Sequence, residues 1–76
     1  MPRFAITYSG AGMANVSVER HDSRAEARRA AVSTATSMLL AEGDRFQQGA
    51  VDCEVRHEVT GRAERFRVTL SVQKVA

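Results

Sequence analysis

Residues 51–72 read VDCEVRHEVTGRAERFRVTLSV. Val51, Cys53, Val55, His57 and Val59 alternate with Asp52, Glu54, Arg56 and Glu58, the period of two of an extended strand with one apolar face. Thr60-Gly61-Arg62-Ala63 interrupts the run as a turn. Phe66, Val68, Leu70 and Val72 then alternate with Arg65, Arg67, Thr69 and Ser71. The segment reads as a β-hairpin over 50–75. Its outer face would set an acidic row beside a basic one, with Glu54 and Glu58 near Arg65 and Arg67.

Working upstream, Ser23-Arg24-Ala25-Glu26 fits the S-x-x-E capping box and marks a helix start. Steps of three and four from there collect Ala27, Ala31, Ala35, Met38 and Leu39, then Phe46. The spacing predicts a helix from Ser23 to about Leu40. It continues to Gln48 if it survives Gly43, where it would otherwise break. A stripe made mostly of alanine lets a helix lie close to whatever it covers. Ser33, Thr34, Thr36 and Ser37 sit mid-helix, where hydroxyls compete for backbone hydrogen bonds. Val32 and Leu40 fall off the stripe and widen the apolar surface beyond one face.

The first twenty residues alternate again. Phe4, Ile6 and Tyr8 share one face, with Arg3, Ala5 and Thr7 on the other. Ser9-Gly10-Ala11-Gly12 is a turn. Beyond it Ala14, Val16 and Val18 are expected inward, and Asn15, Ser17 and Glu19 outward. With this hairpin over 3–20, the chain is a single α+β domain covering 1–76. It has two layers, ββαββ, with one helix on one face of a four-stranded antiparallel sheet. Nothing in the sequence orders the strands.

Composition narrows the function classes. At 76 residues there is room for one core. A chain this small buries only about 60% of its unfolded surface, so self-association is expected to complete it. Eleven Lys and Arg against nine Asp and Glu leave a charge of +2, too little to force a nucleic-acid reading. One cysteine excludes an intramolecular disulfide and a four-ligand Cys/His zinc site within one chain. No apolar run approaches the roughly 18 residues of a membrane span. The stretch after Arg3 is broken by Thr7, Ser9 and two glycines, which makes it a poor signal peptide. A cytoplasmic protein with no membrane partner is expected.

Catalysis has little to work with. Cys53 falls on the inward face as a small hydrophobe, and His57 lies four residues along the same strand, about 13 Å away. Asp52, Glu54 and Glu58 sit on a solvated face with arginines opposite, which suits ion pairs rather than a raised-pKa acid. His21 beside Asp22 lacks a third metal ligand and reads as the approach to the helix cap. Gly10-Ala11-Gly12 precedes a strand, not a helix N-terminus, so it is no phosphate loop. No catalytic, metal or cofactor residue is assigned, and an enzyme is not expected. Arg20, Arg24, Arg28 and Arg29 gather at the helix start and could follow a phosphate backbone. The sheet, however, lacks exposed aromatics for stacking bases. The leading expectation is a protein that acts through protein contacts, a homodimer or a partner complex. Its contact surfaces would be an exposed sheet edge and the Val32/Leu40 side of the helix. A small nucleic-acid-binding regulator using the four arginines is the alternative.

The chain opens Met1-Pro2-Arg3-Phe4 and carries Glu26-Ala27 through Leu39-Leu40-Ala41-Glu42, then Gly49, Glu54-Val55-Arg56 and Gly61-Arg62. In these features it resembles a family of small alphaproteobacterial proteins, a domain of unknown function, that open Met-Pro-Arg followed by Tyr or Phe. It departs from them between Ser9 and His21, where the family has an acidic Asp/Gly-rich segment. The resemblance implies that Phe46 is helical and that the helix ends at Gly49, and it implies no activity. The order of hairpin, Asp22-Ser23-x-x-Glu26-Ala27 and helix is more faintly similar to the antitoxin half of HicA/HicB-type toxin–antitoxin pairs, which bind protein partners. Flavin-storing dodecins also combine one helix with a sheet, but the Trp they stack on flavin is missing here.

Overall fold

The computed structural model describes residues 1–10, 13–41, 48–72 and 74–75. Five elements follow one another: β1 (Arg3–Gly10), β2 (Met13–Arg20), α1 (Arg24–Ala41), β3 (Gln48–His57) and β4 (Ala63–Ser71). The strands form one antiparallel sheet in the order β2-β1-β3-β4, with the helix on one face. The α+β, ββαββ architecture is the one the alternation and the capping box predict.

Phe4, Ile6 and Tyr8 of β1 and Val51, Cys53 and Val55 of β3 are buried beneath Ala27, Ala31, Ala35 and Leu39. Three alanines at successive turns bring the helix backbone close to the sheet. The large side chains of β1, Phe4, Ile6 and Tyr8, fill the layer between them. The helix packs chiefly on β3 and β4, more lightly on β1, and leaves β2 at the margin. Met38, Phe66, Val68 and Leu70 pack against this core and stay partly exposed.

At the helix start the Glu26 amide donates to Ser23 Oγ at 3.2 Å, and the Ala27 amide to the Ser23 carbonyl at 3.0 Å. Glu26 turns its carboxylate toward His21 Nδ1, 3.7 Å away. The Thr36 hydroxyl donates to the Val32 carbonyl at 2.7 Å, so this mid-helix hydroxyl bonds one turn back along its own helix. Gln48 and Gly49 belong to β3, where they pair with Ser71 and Leu70, so the helix extends neither to Gln48 nor to Gly49. The break at Gly43 and the position of Phe46 lie outside the described residues.

The first hairpin departs from expectation in which face its valines take. Phe4 pairs with Glu19, Ile6 with Ser17 and Tyr8 with Asn15, so the polar residues of β2 share the helix side. Val16 and Val18 point to the open face, 63% and 50% exposed. The reason is parity. A loop with an even number of residues, here the two between Gly10 and Met13, pairs even positions with odd ones. Once the bulkier Phe4, Ile6 and Tyr8 take the core, the valines of β2 must face away. Gly10 has φ +141°, and a Cβ there would meet the Ala50 carbonyl oxygen at 2.7 Å; only glycine lets β1 pass β3 at this point.

Two smaller expectations also give way. Val59 lies past the end of β3 and is exposed, because the strand stops at His57. Glu58 pairs with Arg3 at 3.4 Å rather than with the arginines of β4, since it sits beyond the paired register of the hairpin.

Candidate functional site

The open face of the sheet is divided. Over β1 and β2 it carries Ala5, Thr7, Ala14, Val16 and Val18, and over β3 and β4 a ladder of charge. Arg67 Nε donates to Asp52 at 2.6 Å, Arg65 Nε to Glu54 at 2.8 Å, and Arg56 Nη2 to the other oxygen of Glu54 at 3.0 Å. A shallow depression of about 520 Å³ lies on this side of the sheet between Thr7, Ser9, Asp52, Glu54, Arg65 and Arg67. The arginine hydrogen bonds hold both carboxyls below the usual carboxylate range, so they are ionised and engaged at neutral pH. That electrostatic state suits a solvated ladder rather than a general acid.

On the helix side, β2 ends in a polar cluster. Ser17 Oγ donates to Glu19 Oε2 at 2.8 Å, and His21 Nε2 lies 2.9 Å from Glu19 Oε1. The His21 contact holds the Glu19 carboxyl below its ordinary value; partial burial opposes it and Ser17 assists. Phe4 is flanked by two imidazoles, His21 at 6.4 Å and His57 at 5.1 Å, the latter edge-on. His57 Nδ1 accepts the amides of Val59 and Thr60, both at 3.2 Å, and thereby caps the turn leading to β4. Among the described residues no three His, Cys, Asp or Glu come together to hold a metal ion.

Cys53 is buried, and burial pushes its thiol pKa up, with the neighbouring Asp52 acting the same way. A reactive thiol needs the opposite environment. Tyr8 is buried too, and its hydroxyl has no hydrogen-bond partner among the described residues. Burial raises its pKa, while the Thr34 hydroxyl acts against the rise without reaching hydrogen-bond geometry.

The four arginines of the helix start do not share one surface. Arg20 lies at the end of β2 on the open face, by register with Arg3. Arg24 and Arg28 are one turn apart on a helix flank, and Arg28 Nη1 donates to Glu64 of β4 at 2.9 Å. Arg29 points into solvent.

The same flank carries the two apolar residues that fall off the alanine stripe. Arg28, Val32, Thr36 and Leu40 recur every four residues, and the Arg28–Glu64 contact orients that line toward β4. Val32 is 39% exposed and Leu40 63%. Beside them lie Phe66, Val68 and Leu70, partly buried on the inner face of β4, and Val72, exposed just past its end. The open edge and the Val32/Leu40 side are therefore one strip, β4 and the helix flank above it. Sequence reasoning missed that Phe66, Val68 and Leu70 belong to this strip. Their alternation signals a strand, but whether the strand is central or marginal depends on the order of all four.

No helix among the described residues is long and apolar enough to cross a membrane. No protein-family model matches this chain, and no curated protein or solved structure matches it.

Proposed function

We propose that this chain is a small, non-enzymatic cytoplasmic protein that acts through protein–protein contacts and associates with itself. The observation that carries this reading is the strip of Val32, Leu40, Phe66, Val68 and Leu70 along an unpaired sheet edge. Val32 and Leu40 are exposed apolar side chains beside the partly buried Phe66, Val68 and Leu70, and an open edge offers backbone groups ready to pair. Ionised, arginine-bound carboxylates and a buried thiol of raised pKa support the non-enzymatic part.

Light scattering in line with gel filtration tests the reading. Wild-type protein should elute at dimer mass, and Leu40→Lys, which places an ammonium in the strip, should elute at monomer mass with its far-UV spectrum retained. An unchanged mass in Leu40→Lys removes this flank from the association.

Nucleic-acid binding is the second reading, favoured by Arg24, Arg28 and Arg29 on one end of the helix. The Arg28–Glu64 pair weakens it, because the guanidinium already has an anionic partner. The chain has no Trp and one Tyr, so co-purified nucleic acid would dominate its absorbance. A 260 nm peak that vanishes in high salt, and that Arg24→Ala with Arg28→Ala abolishes, would establish this second reading.

A further inference from the structure

We infer that a second copy of this chain pairs with β4 about a two-fold axis at Val68, extending the sheet to eight strands and laying the two helices side by side. The inference rests on the self-association proposed above and adds the edge, the register and the residues that meet.

Backbone direction identifies the groups available at the edge. His57 N–H donates to the Arg62 carbonyl, so in this antiparallel ladder the even residues of β4 turn their amides toward β3. The odd ones (Arg65, Arg67 and Thr69) turn theirs outward. An antiparallel partner centred on Val68 then sets Arg67 opposite Thr69 of the second copy and Arg65 opposite its Ser71, each through outward-facing groups. Phe66 meets Leu70 of the second copy, and Val68 meets its own counterpart. No like charges face each other. Moving the centre one residue back to Arg67 would set two arginines against one another, which disfavours that register.

The helix independently locates the same axis. On the flank toward β4, Val32 and Leu40 are symmetric about Thr36. Arg28 is tied to Glu64. From Glu64 to Val68 is about 13 Å along a strand, and from Arg28 to Thr36 about 12 Å along a helix. Thr36 therefore lies nearly above Val68. An axis through both sets Val32 against Leu40 of the second copy, and Leu40 against its Val32.

The lateral spacing agrees. The helix rests mainly over β3 and β4. With strands about 4.8 Å apart, a helix centred between them stands about 5 Å from the axis, and its symmetry mate about 10 Å from it. Packed helices lie about 8–10 Å apart. The opposite edge lacks this match. Among the described residues no helix packs chiefly on β2, and Asn15, Ser17 and Glu19 line its inner face, with Ser17 and Glu19 already bonded to each other and Glu19 to His21.

Cross-linking by single cysteines tests the edge and the register. Facing positions at the axis should lie about 4.5 Å apart at Cα, within disulfide range. Val68→Cys should oxidise to a covalent dimer on a non-reducing gel. Ser17→Cys, the corresponding axis position for pairing through β2, should not, and neither should wild type with its buried Cys53. As a second variant, Thr69→Pro removes an outward amide without breaking the ladder to β3; it should give monomer mass by light scattering with an unchanged far-UV spectrum. A dimer that cross-links through Ser17→Cys, or through neither position, overturns the β4 pairing and leaves self-association standing. A wild-type monomer at all concentrations overturns both.

Discussion

The two hairpins of this protein carry similar alternating valines and bury them differently. In β3, Val51 and Val55 lie beneath the helix and are almost fully inaccessible; in β2, Val16 and Val18 face solvent. The alternation is of equal quality in both. What differs is the register each strand takes from its neighbour, which turns the valines of β2 away from the core, and the cover each strand receives. β3 is central, between β1 and β4 and under α1, whereas β2 is an edge the helix leaves at the margin. A period of two specifies a strand with two distinct faces; the neighbours on each side decide which face is paired with the core.

Truncation would break this comparison most strongly. Ile6→Ala, at a fully buried position of the central strand β1, should cost about 2–5 kcal/mol, a large part of the stability of so small a domain. Val18→Ala in the neighbouring strand should cost under about 0.5 kcal/mol, as surface substitutions do. Urea unfolding of the two variants reads the difference directly. Comparable losses would mean that the open face over β1 and β2 is covered in solution.

Overpacking sharpens the picture from the helix side. Ala31 is fully buried between helix and sheet, and Ala31→Leu should lift the helix and cost about 1–3 kcal/mol. A stabilising Ala31→Leu would show that the helix does not seat as closely as the alanine stripe requires.

The smallest expected effect is the response to acid. The carboxyls of Asp52 and Glu54 on the β3–β4 side, and of Glu19 on β2, are all held below their ordinary values of about 4. A lowered folded-state pKa contributes stability that is complete above the ordinary value and is lost as pH falls through the lowered one. The urea midpoint should thus hold steady from neutrality to about pH 5 and decline below about pH 4. Asp52→Asn with Glu54→Gln should flatten part of that decline, and Glu19→Gln a separate part. If the double variant declines as steeply as wild type, the ladder contributes nothing to acid sensitivity.

Much of the architecture is legible locally. The Ser23 cap, the alanine stripe from Ala27 to Ala35 and the alternation around Cys53 and Phe66 depend on neighbours within a few residues, and each forms as its spacing dictates. The reversed valines of β2 were within reach of the same reasoning. Any even loop between the first two strands pairs Phe4 and Ile6 with odd-numbered partners, and only the competing appeal of burying Val16 and Val18 pointed elsewhere. The candidate surface was half legible: Val32 and Leu40 stand out because they leave the stripe, but nothing near them in the chain names their neighbours.

The amino-acid sequence by itself determined where the strands and the helix lie, how the helix begins, and which side chains are large enough to claim the core. These are short-range matters of backbone propensity, side-chain volume and period. Only the tertiary structure decided that β1 and β3 are central, that β4 is an open edge, and that Arg28 reaches Glu64 to align Val32 and Leu40 above that edge. Strand order follows from long-range pairing between segments more than half the chain apart, as in Phe4 with His57. Such pairings depend on the free energy of the whole assembled layer and leave no mark in any single stretch of residues.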